Sequence, residues 1–192
     1  VSSSLIYSPA AYADTPELIA LARAAAEYNG MYISHIRNEG DCLLEAFDEF
    51  LQIAREANIS AEIYHLKASG RTNWNKLDAL IERIEQARRS GLRITADMYN
   101  YHASSTGLDA VMPPWVQEGG HDAWVQRLKD PSVRERVRRE MNEPSTAWDN
   151  GYTSAGCPEN ILLVGFQSDA LKPMTGKTLA EVAAMRGRPP EE

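Results

Sequence analysis

From the N-terminus to about residue 101, a short apolar run, a polar loop and an amphipathic helix recur roughly every 30 residues. Leu5 to Tyr7, Met31 to Ile36, Ala61 to Leu66 and Leu92 to Met98 read as strands. A helix is predicted from Thr15 to about Tyr28, with Thr15 as N-cap, Pro16 in the first turn and Asn29-Gly30 as the stop. Leu43, Leu44, Phe47, Phe50, Leu51 and Ala54 repeat at three- and four-residue intervals and mark a second helix. Leu77, Leu80, Ile81, Ile84 and Ala87 mark a third, closed by Ser90-Gly91. Strands separated by helices pair in parallel through right-handed crossovers, so the chain is expected to form an α/β layer or barrel. At 192 residues it is shorter than the ~250 residues typical of a full eight-stranded barrel.

The rhythm breaks after residue 101. Residues 102–158 contain Pro113-Pro114-Trp115, Gly119-Gly120, a charged helix predicted from His121 to Met141 and a polar stretch, and read as an insertion or lid. Residues 159–192 hold a strand candidate from Ile161 to Phe166 and a capping box, Thr178-Leu-Ala-Glu181, that opens a last short helix. The expected organisation is therefore 1–101, 102–158 and 159–192.

Charge and cysteine content narrow the partners. Twenty basic against 27 acidic residues leave a net charge of −7, which opposes binding to nucleic acid or to an anionic membrane and favours a small-molecule partner. Cys42 and Cys157 form no CxxC pair, so neither a disulfide framework nor a zinc ribbon is expected and a reducing, cytoplasmic setting fits. No apolar run reaches the ~20 residues that span a bilayer, and no signal-peptide pattern opens the chain. Val1 rather than Met stands first, and the chain is expected to be a segment of a longer protein.

The chemistry-bearing residues sit at strand ends. His35 and His65 are separated by 30 residues, about one βαβ unit, so both imidazoles are expected to converge at the carboxyl edge of adjacent strands, ~5 Å apart. Two neutral imidazoles there could share a zinc ion, although a catalytic zinc takes three protein ligands and an open position. The bland alternative is two unrelated histidines bonded to nearby backbone. Arg37, Lys67 and Tyr99 each lie two positions beyond His35, His65 and Asp97, a spacing that keeps each pair on one face and brings the polar groups to the same mouth. A cation there would suit a substrate carboxylate, whereas a loop ion pair to Glu39 or Asp41 is the alternative, more so for Arg37 than for Lys67. Asp97 could ligate metal, act as a base or cap the following loop.

The segments Ser3-Ser-Leu-Ile-Tyr7, Ser34-His-Ile-Arg-Asn-Glu-Gly40, His65-Leu-Lys-Ala-Ser-Gly70 and Ala96-Asp-Met-Tyr-Asn-Tyr101, with Ser105-Thr106 and Gly176-Lys-Thr-Leu-Ala-Glu-Val-Ala183, resemble the N-acyl-D-amino-acid deacylases of the amidohydrolase superfamily. The resemblance implies a (β/α)8 barrel that uses zinc to hydrolyse the amide of an N-acyl-D-amino acid. It makes the four strands the fourth to seventh of that barrel, with His35 and His65 as zinc ligands. It assigns Lys67, Tyr99 and Ser105 to substrate binding and residues 102–158 to a cover over the site. The family's first-strand His-x-His pair, its cysteine ligand and its catalytic aspartate have no counterpart, since Cys42 opens a helix, Cys157 lies in an irregular segment and Asp169 has the wrong surroundings. No catalytic residue is therefore assigned, and the chain alone is expected to be inactive.

Other features read as structural. Gly176-Lys177-Thr178 lacks the upstream glycine of a phosphate loop, and His102 and His121 are expected to be solvated. Trp115 reads as a packing aromatic, and the alternating charges from Arg127 to Glu140 as an exposed helix face. Two competing functions remain: a cyclic amidohydrolase of dihydroorotase type on the same scaffold, and a non-catalytic chain that folds by self-association of the open half-barrel edges.

Overall fold

The structure is a computed structural model that describes residues 1–192. Apolar side chains fall on alternate positions of three of its first four strands and on one stripe of each of its first three helices, so the two layers bury each other. Strand β1 (Ser2–Ser4) leads through a turn to helix α1 (Thr15–Ala26), which is followed by β2 (Met31–His35), α2 (Leu43–Glu56), β3 (Ser60–Ile63), α3 (Leu77–Arg89) and β4 (Ile94–Ala96). The four strands form one parallel sheet in the order β1-β2-β3-β4, with Ser3 beside Ser34, Ser34 beside Ile63 and Ile63 beside Ala96. Tyr32, Ser34, Ala61, Ile63 and Ile94 point to the helices and are buried. On the other face Ile33 and Glu62 are partly exposed and Thr95 is exposed. Helices thus cover one face only.

The core under the helices includes Leu18, Ile19, Ala22, Phe47, Phe50, Ile53, Leu80 and Ile84, with Tyr32 stacked on Phe50. Asp14 rather than Thr15 caps α1, its carboxylate accepting from the Glu17 amide, while the Thr15 hydroxyl reaches Glu49 of α2. The first strand also lies earlier than expected. Leu5 to Tyr7 is turn, and the pairing residues are three serines, of which Ser3 bonds the hydroxyls of Tyr32 and Ser34. An apolar pattern cannot reveal a strand anchored by hydroxyls.

A second, smaller core lies within residues 102–158: Val111, Val116, Val137, Met141 and Tyr152. The single charged helix expected there is two, α4 (His121–Arg127) and α5 (Pro131–Met141), because Pro131 takes the first turn of a new helix behind an Asp130 cap. A short α6 (Gly151–Ala155) follows, capped by buried Asn150. The strand expected from Ile161 to Phe166 shrinks to β5 (Leu162–Leu163), which pairs antiparallel with β6 (Lys177–Thr178) outside the main sheet. The expected capping box of Thr178 and Glu181 is present and opens α7 (Leu179–Arg186). No helix is long and apolar enough to cross a membrane.

Candidate metal centre

Parallel pairing of β2 and β3 brings the two strand ends together, and the rings of His35 and His65 meet there. His35 Nδ1 lies 3.1 Å from His65 Nε2, and the ring centroids are 4.6 Å apart. His35 belongs to the last position of β2, whereas His65 stands two residues beyond β3 with a φ of 38°. That left-handed backbone is uncommon for a bulky residue, and it swings the imidazole toward its neighbour.

A carboxylate completes the cluster. Glu39, buried, places one oxygen 3.0 Å from His65 Nδ1 and the other 2.6 Å from Lys67 Nζ. Lys67 Nζ is also 2.7 Å from His65 Nδ1, so lysine and carboxylate compete for that nitrogen. The charge-assisted arrangement, in which Glu39 accepts from both Lys67 and His65 Nδ1–H, satisfies all three groups. It leaves His65 Nε2 unprotonated and able to accept from His35 Nδ1–H, which in turn leaves His35 Nε2 with a free lone pair.

That nitrogen is buried without a hydrogen-bond partner and lies 3.6 Å from a Glu39 oxygen. A lone pair facing a carboxylate in a buried site is unfavourable unless a cation stands between or beside them. Burial pushes His35 down to about 4 despite the raising effect of Glu39, so the ring is neutral at pH 7 and competent as a ligand. Glu39 itself is held below the ordinary carboxylate range: burial alone would raise it, but the bond with His65, the attraction of His35 once it is protonated in acid, and the charge and bond of Lys67 together outweigh that. The donor atoms of His35, Glu39 and His65 all lie within 4.8 Å of one another. Two imidazoles and a carboxylate, one ring nitrogen of them buried without a partner, fit a divalent cation such as zinc.

The remaining residues divide sharply. Lys67 and Tyr99 join the cluster, with the ammonium 5.7 Å from the Tyr99 ring centroid and that ring 6.4 Å from His65. Burial lifts the Tyr99 phenol above its usual value, Glu39 adds to the rise, and Ser104 opposes it. Ser105 lies in the exposed segment after β4, between Ser104 and Thr106, whose hydroxyl is 2.6 Å from that of Tyr7. Tyr7 packs its ring 5.8 Å from His35.

Arg37 does not face the mouth. Its guanidinium grips Glu49 of α2 through two bonds and donates to the carbonyls of Ala11 and Ala13. The ion pair with Glu39 therefore belongs to Lys67, and Arg37 takes neither of the loop acids in its own neighbourhood. Asp97 lies outside the His35–Glu39–His65 set, and its carboxylate accepts the backbone amide of His65.

Glu39 was not singled out by sequence because its role depends on a loop. Asn38 caps that loop by accepting from the Gly40 and Cys42 amides. The Glu39 amide donates to Asp149, 110 residues away, and its carbonyl accepts from Ser69. Only the Glu39 position, four residues after His35 in a polar loop, hints at it.

No family model matches the chain. Among curated proteins it is similar to an N-acyl-D-glutamate deacylase of Alcaligenes xylosoxydans xylosoxydans, 39% identical over 107 residues, and to a D-aminoacylase of the same organism, 33% identical over 108 residues. Each match takes in 56% of this chain, which spans only 22% of the length of those relatives. Among solved structures it superposes on an N-acyl-D-glutamate deacylase from Bordetella bronchiseptica complexed with zinc and a phosphonate mimic of the tetrahedral intermediate. That match has a TM-score of 0.70 and 27% identity and covers 99% of this chain and 31% of the other. A D-aminoacylase structure described as defining a novel subset of amidohydrolases gives a TM-score of 0.65 at 24% identity over the same shares, a likeness of fold. The resemblance carried by the strand-end segments is borne out.

Proposed function

We propose that this chain carries part of the catalytic centre of a zinc-dependent hydrolase that cleaves the amide bond of an N-acyl-D-amino acid. The convergence of two imidazoles and a carboxylate at the carboxyl edge of a parallel sheet carries the reading. The relatives' names supply the substrate class.

The scaffold reading is a segment of a (β/α)8 barrel, with residues 102–158 as its lid. Sequential strand order with helices on one face supports it, because a doubly wound sheet reverses its order and carries helices on both faces. The uncovered strand edges of β1 and β4 are where the remaining strands, or another copy of the chain, would pair.

In this reading His35 and His65 hold the zinc, with Glu39 as the third donor within reach. A zinc ion bound there supplies a Lewis acid and lowers the pKa of its water to about 7. Lys67 spends one N–H on Glu39 and keeps donors for the carboxylate of the substrate, while Tyr99 and Ser105 line the approach. Glu39 aims Lys67, and its bond with His65 Nδ1–H fixes the tautomer in which Nε2 carries no proton.

Equilibrium dialysis against zinc tests the reading. The chain should retain zinc, and His35→Ala and His65→Ala should each lower its affinity by 100-fold or more, about 2.7 kcal/mol or more. Unchanged zinc content in both variants would refute the site. In a protein containing this segment, hydrolysis of N-acetyl-D-glutamate should exceed that of a cyclic amide such as dihydroorotate, and the opposite preference would refute the substrate class.

A further inference from the structure

The ladder between β3 and β4 breaks at the residue that matters most. In a parallel pair the bonding residues of one strand recur every second position. The Ala61 amide donates to the carbonyl of Arg93, and the Asp97 amide donates to the carbonyl of Ile63. Regular continuation would make the His65 amide donate to the carbonyl of Asp97. Instead the Leu66 amide takes that carbonyl, at 2.8 Å, one residue later than the ladder requires. The displaced His65 amide donates to the side chain of the same residue, Asp97 Oδ1, at 2.5 Å. One extra residue has been inserted, and it is His65, whose φ of 38° absorbs the kink.

We propose that Asp97 is a positioning residue for the metal centre. Its carboxylate accepts the amide that the bulge removes from the ladder, and in doing so stabilises the left-handed backbone that turns the His65 ring toward His35. Without that acceptor the amide would lack a partner, and the nearest remedy is to return to the Asp97 carbonyl. That slip closes the bulge, moves His65 to the regular position after Tyr64 and withdraws its ring from His35, because a one-residue shift reverses the face a side chain occupies. Strained backbone concentrates where side chains must be aimed, and here the strain has a visible support. The consequence for metal binding rests on the zinc reading above; the consequence for ring placement does not.

The whole chain, labelled with ¹⁵N, is compared with Asp97→Ala and Asp97→Asn by hydrogen exchange and chemical shift of the His65 amide, by proton contacts between the two imidazoles, and by titration with cobalt(II) followed by its visible absorption. Asp97→Ala should shift the amide upfield, speed its exchange, abolish the ring-to-ring contacts and weaken cobalt binding about 10- to 100-fold, the effect typical of losing an outer partner of a metal ligand. Asp97→Asn keeps the acceptor oxygen and should preserve all four properties. If the alanine chain does not fold, Asp97→Glu keeps the charge but displaces the acceptor by one methylene and should show the same losses. An unchanged amide and unchanged ring contacts in Asp97→Ala overturn the proposal, as does an asparagine variant that behaves like alanine. Lost contacts with undiminished cobalt affinity overturn its link to the metal. A parent chain that binds no cobalt sinks the zinc reading, while the amide and ring contacts still decide the role of Asp97.

Discussion

Replacing Arg37 by methionine should destabilise the chain by about 2–3 kcal/mol, and the value follows from how the guanidinium is held. Its Nε and Nη2 lie 2.8 and 2.9 Å from the two oxygens of Glu49, a bidentate pair that joins the end of β2 to α2. Nη1 and Nη2 also donate to the carbonyls of Ala11 and Ala13, so one side chain ties the turn before α1 to both elements. The Glu49 side chain is 15% exposed and that of Arg37 32% exposed, which places the pair between the surface and the interior. Removing one partner from a fully buried pair costs about 3–5 kcal/mol, and an exposed pair contributes about 0–1 kcal/mol. Partial solvent access to the guanidinium moves the expected cost to the intermediate value, and the Thr15 hydroxyl, 2.7 Å from Glu49, softens the loss.

Urea unfolding followed by far-ultraviolet circular dichroism measures it, in a cycle of Arg37→Met, Glu49→Gln and the double variant. The pair should show a coupling energy of about 1–2 kcal/mol, because each single variant leaves the other group without its partner. Zinc affinity should stay unchanged in all three, since neither residue touches the cluster. Additive losses, or a cost for Arg37→Met under ~0.5 kcal/mol, would show that the clamp does not hold the fold. A fall in zinc affinity as large as that of His35→Ala would return Arg37 to the site.

Two further outcomes follow from the geometry. In the metal-free chain the native state protonates His35 only near pH 4, whereas the unfolded chain does so near 6.5; the unfolded state binds more protons between those values, so stability falls as pH drops from 6.5 to 4. The loss is on the order of 3 kcal/mol, the depressed Glu39 adds to it at lower pH, and Lys67 and His65 are the other charged or titratable groups facing the ring. Urea unfolding at pH 7 and pH 4.5 measures it, and a His35→Phe variant with the same acid sensitivity would defeat the assignment. Gly70 has a φ of 79°, and a Cβ there would lie 3.3 Å from the Ser154 backbone. Gly70→Ala should therefore lower Tm by about 5 °C and expose residues 102–158 to faster proteolysis, and an unaltered Tm would disprove the close approach.

What was legible in the sequence depended on periodicity. Leu43, Phe47, Phe50, Leu51 and Ala54 are all buried on α2 because a repeat of three and four residues can place them on no other surface of a helix. β2 to β4 fell within a few residues of their expected places for the same reason, since apolar residues must alternate toward the helices. β1 escaped because its serines are satisfied by hydroxyls rather than by burial of carbon. The same division runs through the site. His35 and His65 were found because parallel register carries equivalent strand ends to one place, a rule that needs no knowledge of side-chain contacts. Glu39 and Asp97 owe their roles to departures from register: a loop pinned by Asp149 from 110 residues away, and a ladder that skips one residue at His65. Neither leaves a periodic trace, because a bulge is the interruption of a period. A histidine at a strand end is therefore visible from spacing alone, while the group that aims it becomes visible only once the hydrogen bond it replaces can be counted.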